Sequence, residues 1–379
     1  MREYLFVLIF AATITFLLTP LVRALAIRFG ALTPVRDRDM HAVPTPRLGG
    51  AAMFAGFAGA LLVASHLPFL SQVSDDSSDL RAVLLGGGLV CLLGVADDIW
   101  GLDAITKLAG QVLAAGVMAA QGVQLFSLPV FGVTYLPTPV MITITVLLVV
   151  VTMNAVNFVD GLDGLAAGLV GIAAIGFFAY SYSISKDYSA TGVFSIASLV
   201  AVALIGCCVG FLPHNFYPAR IFMGDSGSML LGLLLSAATI ALIGNVDPVT
   251  VSPDASVLIE PTGRLPSNLL YVFPVLMPVA VLVVPLLDLL LAVVRRTRAG
   301  RRPWHPDAEH LHHQLISLGH SHTGAVVVLY LWTALVAWGA ASLALLPVLP
   351  ALLVVASLLL AAVVLTVAGP RAERLVERL

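Results

Sequence analysis

Four short polar stretches interrupt an otherwise apolar chain, and each holds residue types that bind phosphate, metal or nucleotide. They read HAVPTPRLGG (41–50), GVADDIWGLDAITK (94–107), NAVNFVDGLDG (154–164) and HNFYPARIFMGDSGS (214–228). A fifth, RRTRAGRRPWHPDAEHLHHQL (295–315), is basic and rich in histidine. Acid pairs, asparagine–aspartate repeats and basic loops together are the equipment of phosphoryl chemistry, where charge must be positioned and neutralised.

Asp97 and Asp98 are adjacent. Neighbouring carboxylates repel unless a cation or a lysine shares the site, and they are costly at a membrane boundary. One reading is a solvated helix end. The other is a base with a metal or lysine beside it, and Lys107, one of two lysines in the chain, lies close in sequence. The DDxxD pattern of prenyl synthases does not fit, because Ile99, Trp100 and Gly101 follow. In the third stretch Asn154, Asn157 and Asp160 recur every three residues, which on a helix places them along one face, and Asp163 follows. Amide and carboxylate oxygens suit a hard divalent cation such as Mg²⁺ or Mn²⁺. Simple N-capping of the next helix by Asp160 or Asp163 is the competing account.

The run GDSGS (224–228) resembles a serine-protease nucleophile setting. A nucleophilic Ser226 would need a base histidine and an orienting acid, and the histidines of this chain fall in loops. Either Asp225 and Ser226 cap a helix, or Asp225 is the functional residue. In the fifth stretch His310, His312 and His313 accompany Arg301 and Arg302. Arginine and histidine there match the oxygens of a diphosphate better than they match a zinc site. Asp288 receives no role.

These residues must be held by membrane helices. The 379 residues are 59% hydrophobic and 11% charged, with a mean hydropathy of +1.02; soluble domains carry about 25% charged residues. The predicted fold is an all-α, polytopic integral membrane protein, a single domain over 1–379 with about eleven spans: 3–22, 48–67, 81–96, 104–121, 138–156, 163–184, 190–211, 226–244, 268–294, 323–346 and 348–368. The first span is expected to be retained rather than cleaved. Cys91, Cys207 and Cys208 all fall in apolar spans and make no disulfide framework. Of the nineteen Lys and Arg residues, only Arg2, Arg81, Lys186 and Arg264 fall on one side. The other fifteen predict a cytoplasmic C-terminus and an N-terminus outside. All five polar stretches then share the inner face, as loops over about 23–50, 94–107, 154–164, 212–228 and 295–322. Nothing in the pattern calls for nucleic acid.

Taken in order, TPRLGG (45–50), ADDIWGL (96–102) with Lys107, NFVDGLDGL (157–165), Asn215 through FMGDSGS (215–228) and HLHHQL (310–315) closely resemble the polyprenyl-phosphate N-acetylhexosamine-1-phosphate transferases. The resemblance covers nearly the whole chain. It implies an Mg²⁺-dependent (or Mn²⁺-dependent) reaction in the bacterial inner membrane, with the active site on the cytoplasmic face. A polyprenyl phosphate attacks the β-phosphorus of a UDP-N-acetylhexosamine, giving polyprenyl-diphosphate-sugar and UMP. The resemblance also implies roles. Asp225 is the principal metal ligand with Asn157 assisting. Asp97 or Asp98 deprotonates or positions the lipid phosphate, with Lys107 on the phosphates. Asp163 and Phe222 hold the uracil, while Asp160, Asn215 and Gly224 line the nucleotide site, Asp160 also counting among the catalytic residues with Asp97, Asp98 and Lys107. Arg47, Arg302, His310, His312 and His313 serve the diphosphate and sugar. TPRLGG and HLHH look like the GlcNAc branch, which initiates lipid-linked envelope polymers such as lipopolysaccharide, arabinogalactan or teichoic acid linkage units. The pentapeptide branch usually has TPTMGG and three consecutive histidines. The abundance of Arg, Ala, Val and Leu with only two lysines suggests a high-GC bacterium such as an actinobacterium, which makes decaprenyl as reasonable an acceptor as undecaprenyl phosphate. The family also implies a homodimer. Pentapeptide transfer is the alternative specificity. A secondary transporter is the alternative of another class, and acids clustered at one interface rather than the midplane argue against it.

Overall fold

The computed structural model describes residues 1–33, 44–68, 70, 78–126, 128–129, 133–134, 136–188, 195–245, 290, 294–295, 297–298, 300 and 311–376. The chain is a polytopic helical membrane protein. In order its helices are α1 (Arg2–Arg28), α2 (Gly49–Ala64), α3 (Ser78–Trp100), α4 (Ala104–Ala120), α5 (Thr138–Val159), α6 (Leu165–Tyr188), α7 (Ile196–Asn215), α8 (Gly224–Asn245), α9 (Leu311–Ser317), α10 (His322–Leu345) and α11 (Val348–Val376). A two-residue antiparallel hairpin, β1 (Leu128–Pro129) with β2 (Val133–Thr134), is a small addition between α4 and α5.

Among the described residues eight helices are long and apolar enough to cross a bilayer, and α2 and α4 are shorter apolar helices. These ten correspond to ten of the predicted spans. The remaining one, 268–294, lies outside the described residues apart from Leu290 and Val294, as does Asp288.

α8 is the axis of the bundle. Its apolar window is 94% buried, against 11% for α11 and 22% for α1. α3, α5, α7 and α2 surround it, α1 backs α7 and α2, and α10 joins α6 to α11. Small residues let the backbones close in. A side chain at Gly94 of α3 would collide with the backbone of Ser226, and one at Gly50 of α2 with that of Gly227. Close approach of this kind is how helices associate where lipid supplies no hydrophobic drive.

Among the predicted boundaries that move, two matter most for the site. α3 runs on through Asp97 and Asp98 to Trp100, and α5 continues through Asn154 and Asn157 to Val159. The stretches 94–107 and 154–164 are therefore largely helical instead of loops. The polar side chains there find partners on neighbouring helices, so the helical ladder has no reason to stop at the first charge.

Candidate active site

One end of the bundle gathers the C-terminal ends of α3, α5 and α7 with the N-terminal ends of α2, α4, α6 and α8. Three backbone devices fix this arrangement. Phe222 N–H donates to Pro46 O at 2.8 Å, while Gly49 and Gly50 N–H donate to the carbonyls of Phe222 and Met223 at 3.1 and 2.9 Å. The TPRLGG stretch is thereby zipped to the FMG stretch. Asn215, 2% exposed at the end of α7, accepts from Gly164 N–H at 3.1 Å and donates to Ile221 O at 3.0 Å. Its amide braces two loops. Asp163, also buried, accepts from Ala219 N–H at 2.9 Å.

The charged centre lies between these loops. Lys107, from the first turn of α4, pairs with Asp97 Oδ2 at 3.1 Å and is in direct contact with Asp225 Oδ2. Asn157 of α5 donates from Nδ2 to Asp225 Oδ1 and to Ser228 Oγ, both at 2.8 Å. Asp97 is itself held by Leu102 N–H at 2.8 Å. Four helices, α3, α4, α5 and α8, each contribute one member of this cluster.

The two neighbouring aspartates do different work. Asp98 is buried and accepts three hydrogen bonds from the start of α8: Asp225 N–H at 2.9 Å, Ser226 N–H at 3.2 Å and Ser226 Oγ at 2.9 Å. It caps α8 from another helix, a favourable place for a carboxylate because the N–H groups and the helix dipole converge there. Gly224 makes this approach feasible. Its φ of +68° suits glycine, and a Cβ would strike the Asp98 carboxylate. Ser226, the eye-catching serine of GDSGS, serves this cap and is fully buried.

Asp160 follows the last turn of α5. Part of the residue meets solvent, but protein surrounds its carboxyl, and this burial pushes the group up to about 7. The charges of Asp98 and Asp163 add to the effect, and Arg47 opposes it. Arg47 also donates from Nε to Thr33 Oγ1 at 2.8 Å, which ties the TPRLGG stretch to the end of α1. Arg302 and His310 lie outside the described residues. His312 and His313 fall in α9, and only their backbone is described.

A divalent cation fits the donors present. Asp225 Oδ2 is buried and, apart from the Lys107 ion pair, has no hydrogen-bond partner among the described residues. Asp97 and Asp225 share one fixed cation, Lys107, so two carboxylates at the centre are met by a single positive charge. No cage of three or more His, Cys, Asp or Glu exists among the described residues. Mg²⁺ needs none when substrate phosphates and water complete its shell.

Sequence reasoning missed three contributors. Ser228 shares Asn157 with Asp225. Gln111 bonds Asn154 within the membrane. Tyr330 of α10 donates to Gly164 O at 2.5 Å, beside the Asp163 loop. Only Asn154 carried a signal, through its three-residue spacing from Asn157.

Comparison with known proteins gives the family. The model of glycosyl transferase family 4 matches residues 80–243, the segment from α3 to α8. The decaprenyl-phosphate N-acetylglucosaminephosphotransferase of Mycolicibacterium smegmatis is 47% identical over 347 residues, covering 90% of this chain and 82% of that protein. This chain belongs to that family. A probable undecaprenyl-phosphate N-acetylglucosaminyl 1-phosphate transferase of Bacillus subtilis is 32% identical over 83% of this chain and 78% of its own length. A phospho-N-acetylmuramoyl-pentapeptide-transferase of Desulforudis audaxviator is 37% identical over 61% of this chain and 73% of its own. The family segment holds the acid pair, the lysine, the NFVDGLDGL run and the GDSGS turn, so the match falls on the helices that build the site.

Proposed function

We propose that the protein transfers GlcNAc-1-phosphate from UDP-GlcNAc to a membrane polyprenyl phosphate, decaprenyl in first place, releasing UMP. The observation that carries this reading is the Asp97–Lys107–Asp225–Asn157 cluster at one end of the bundle, in a chain 47% identical to a decaprenyl-phosphate N-acetylglucosaminephosphotransferase. The positive residues lie mainly on the same side, so this end is the cytoplasmic face of a bacterial inner membrane. Nucleotide sugar and lipid phosphate meet there.

An oxygen of the lipid phosphate forms a bond to the β-phosphorus of UDP-GlcNAc. The bond from that phosphorus to the bridging oxygen breaks, and UMP leaves with the bridging oxygen. Asp225, with Asn157 beside it, would hold Mg²⁺, which when bound would supply charge neutralisation for the diphosphate. Lys107 binds phosphate oxygens. Asp97 orients the lysine and accepts the proton of a singly protonated lipid phosphate. Asp163 and Phe222 hold the uracil, Asp160 lines the nucleotide side, and Asn215 and Gly224 keep the loops in place. Arg47 draws the anionic donor in, and Arg302, His310, His312 and His313 are assigned to the diphosphate and sugar. The working unit is a homodimer.

The experiment is transfer of labelled sugar phosphate by the purified protein, with Mg²⁺, to added polyprenyl phosphates of two lengths. UDP-GlcNAc should label the lipid, UDP-MurNAc-pentapeptide should not, and Asp225→Asn should abolish the product. No labelled lipid from UDP-GlcNAc across Mg²⁺ and Mn²⁺ would overturn the reading.

A further inference from the structure

Asn154 is the one member of the NAVNFVDGLDG series left without a role, and it lies about one helical turn deeper in the bundle than Asn157. Its partner there is Gln111 of α4, which is 1% exposed. Asn154 Nδ2 donates to Gln111 Oε1 at 2.7 Å, and Gln111 Nε2 donates back to Asn154 Oδ1 at 3.4 Å. Asn154 Nδ2 also reaches Val150 O of its own helix at 2.8 Å, and Gln111 Nε2 lies 3.1 Å from Met229 Sδ of α8. Gln111 is buried and Asn154 partly so, and primary amides inside a membrane bundle are expensive unless they satisfy each other. Their retention calls for a reason beyond packing.

The reason is in the spacing. Gln111 is four residues after Lys107 on α4. Asn154 is three residues before Asn157 on α5, and Met229 is four residues after Asp225 on α8. Residues three and four apart share a helix face one turn apart. One side chain therefore touches the position one turn beneath each of two cluster members and is itself one turn beneath the third. The contacts above are direct: Lys107 on Asp225, and Asn157 on Asp225 at 2.8 Å. A slip of one residue between α4 and α5 would move Lys107 by about 1.5 Å along the axis and turn it by about 100°. Misplacement on the order of 1 Å costs about 100-fold in rate.

We propose that Gln111 and Asn154 form a register clamp, a pair of positioning residues that sets Lys107 and Asn157 against Asp225. The inference rests on the proposed transfer reaction and goes beyond it by assigning a role to groups that touch no substrate. An apolar pair of the same size would hold the helices together without fixing their register.

Three full-length variants test this, each assayed for labelled transfer and for its melting midpoint in detergent. Gln111→Leu combined with Asn154→Leu removes both polar partners at once, so no buried amide is left unpaired and the fold is retained. Its kcat should fall about 10- to 100-fold, while the KM for UDP-GlcNAc stays within about twofold. Gln111→Asn combined with Asn154→Gln exchanges the long and short amides and keeps their summed reach. It should recover at least about half of the lost factor, on a logarithmic scale. Asp225→Asn, run in parallel, should be inactive. Parental kcat in the double-leucine protein overturns the clamp, as does an exchanged pair that folds but recovers nothing. Should the double-leucine protein not fold, the exchanged pair decides alone: a kcat within about tenfold of the parent supports the clamp, and a folded protein that loses about 100-fold or more overturns it. An active Asp225→Asn instead overturns the proposed reaction, whatever the clamp variants do.

Discussion

Asp98 and Asp225 stand on different helices, yet the backbone N–H of Asp225 donates to Asp98 Oδ1 at 2.9 Å. The second acid of the pair thus caps the helix that bears Asp225, while the first acid, Asp97, faces Lys107. Adjacent positions at the end of α3 point about 100° apart around the helix. That angle is enough to send one carboxylate into the helix interface and the other into the charged centre.

This division separates the effects of the two acids. Asp98→Ala removes the acceptor of the Asp225 and Ser226 N–H groups, the second of them buried, while the Ser226 hydroxyl keeps Met223 O. The loss is about 1–3 kcal/mol for an unpaired buried group, so both melting midpoint and transfer should fall. Asp98→Asn keeps an acceptor in place and should regain part of each. Asp97→Asn should lose transfer with the midpoint nearly unmoved. Thermal melts in detergent alongside the transfer assay read both quantities, and an Asp98→Ala protein that melts like the parent would contradict the capping role.

Gly94 gives a steric test of the same interface. A Cβ there meets the Ser226 backbone, which cannot step aside as a flexible side chain would. Gly94→Ala should be destabilised by about 1–3 kcal/mol, the range for overpacking, and should lose activity because α8 carries Asp225. Gly116 on α4 has open space around the same substitution. Gly116→Ala should match the parent or gain up to about 1 kcal/mol from helix propensity, so expression and melting of the two variants provide the contrast.

The membrane class, ten of the apolar segments as helices, eight of them long enough to span, and the convergence of four polar stretches on one end were legible in the sequence, because apolar run length and charge placement are one-dimensional signals. The division between Asp97 and Asp98 was not, since it depends on where α8 starts relative to the last turn of α3. Asn215 read as a nucleotide-lining residue, whereas its amide bridges Gly164 and Ile221 across two loops. Ser226 read as a helix cap or a minor contact, but its bond to Asp98 required knowing which helix lies beside it. Tyr330 and Gln111 sit inside apolar spans, and their partners are 166 and 43 residues away. No local pattern encodes such a contact.

Asp160 predicts a pH dependence with a definite sign. Its carboxyl is raised from the ordinary value of 3.8 to about 7, so the folded protein holds a proton that the unfolded chain has already released between those values. Its contribution to stability is full below about pH 4 and is lost as pH rises through 7. The substrate-free melting midpoint should therefore decline between pH 5 and about 7.5, and Asp160→Asn should flatten that decline. A parent and variant with parallel profiles would count against a buried, protonated Asp160.

Lys107 predicts a divergence between metal binding and catalysis. Its ammonium occupies the side of Asp225 Oδ2 on which a divalent cation would be held, and like charges in so close a site oppose one another. Lys107→Met removes one positive charge next to Asp225 and should tighten Mn²⁺ binding to the substrate-free protein by about tenfold, an easing of about 1.4 kcal/mol. The same variant should lose about 100-fold or more in transfer, because the phosphates lose their fixed cation. Asp225→Asn should lose both. Titration of Mn²⁺ followed by electron paramagnetic resonance reads binding without turnover, and chelation of the metal should silence the parent. Weaker Mn²⁺ binding in Lys107→Met would mean that the lysine supports the metal site instead of competing for its oxygen.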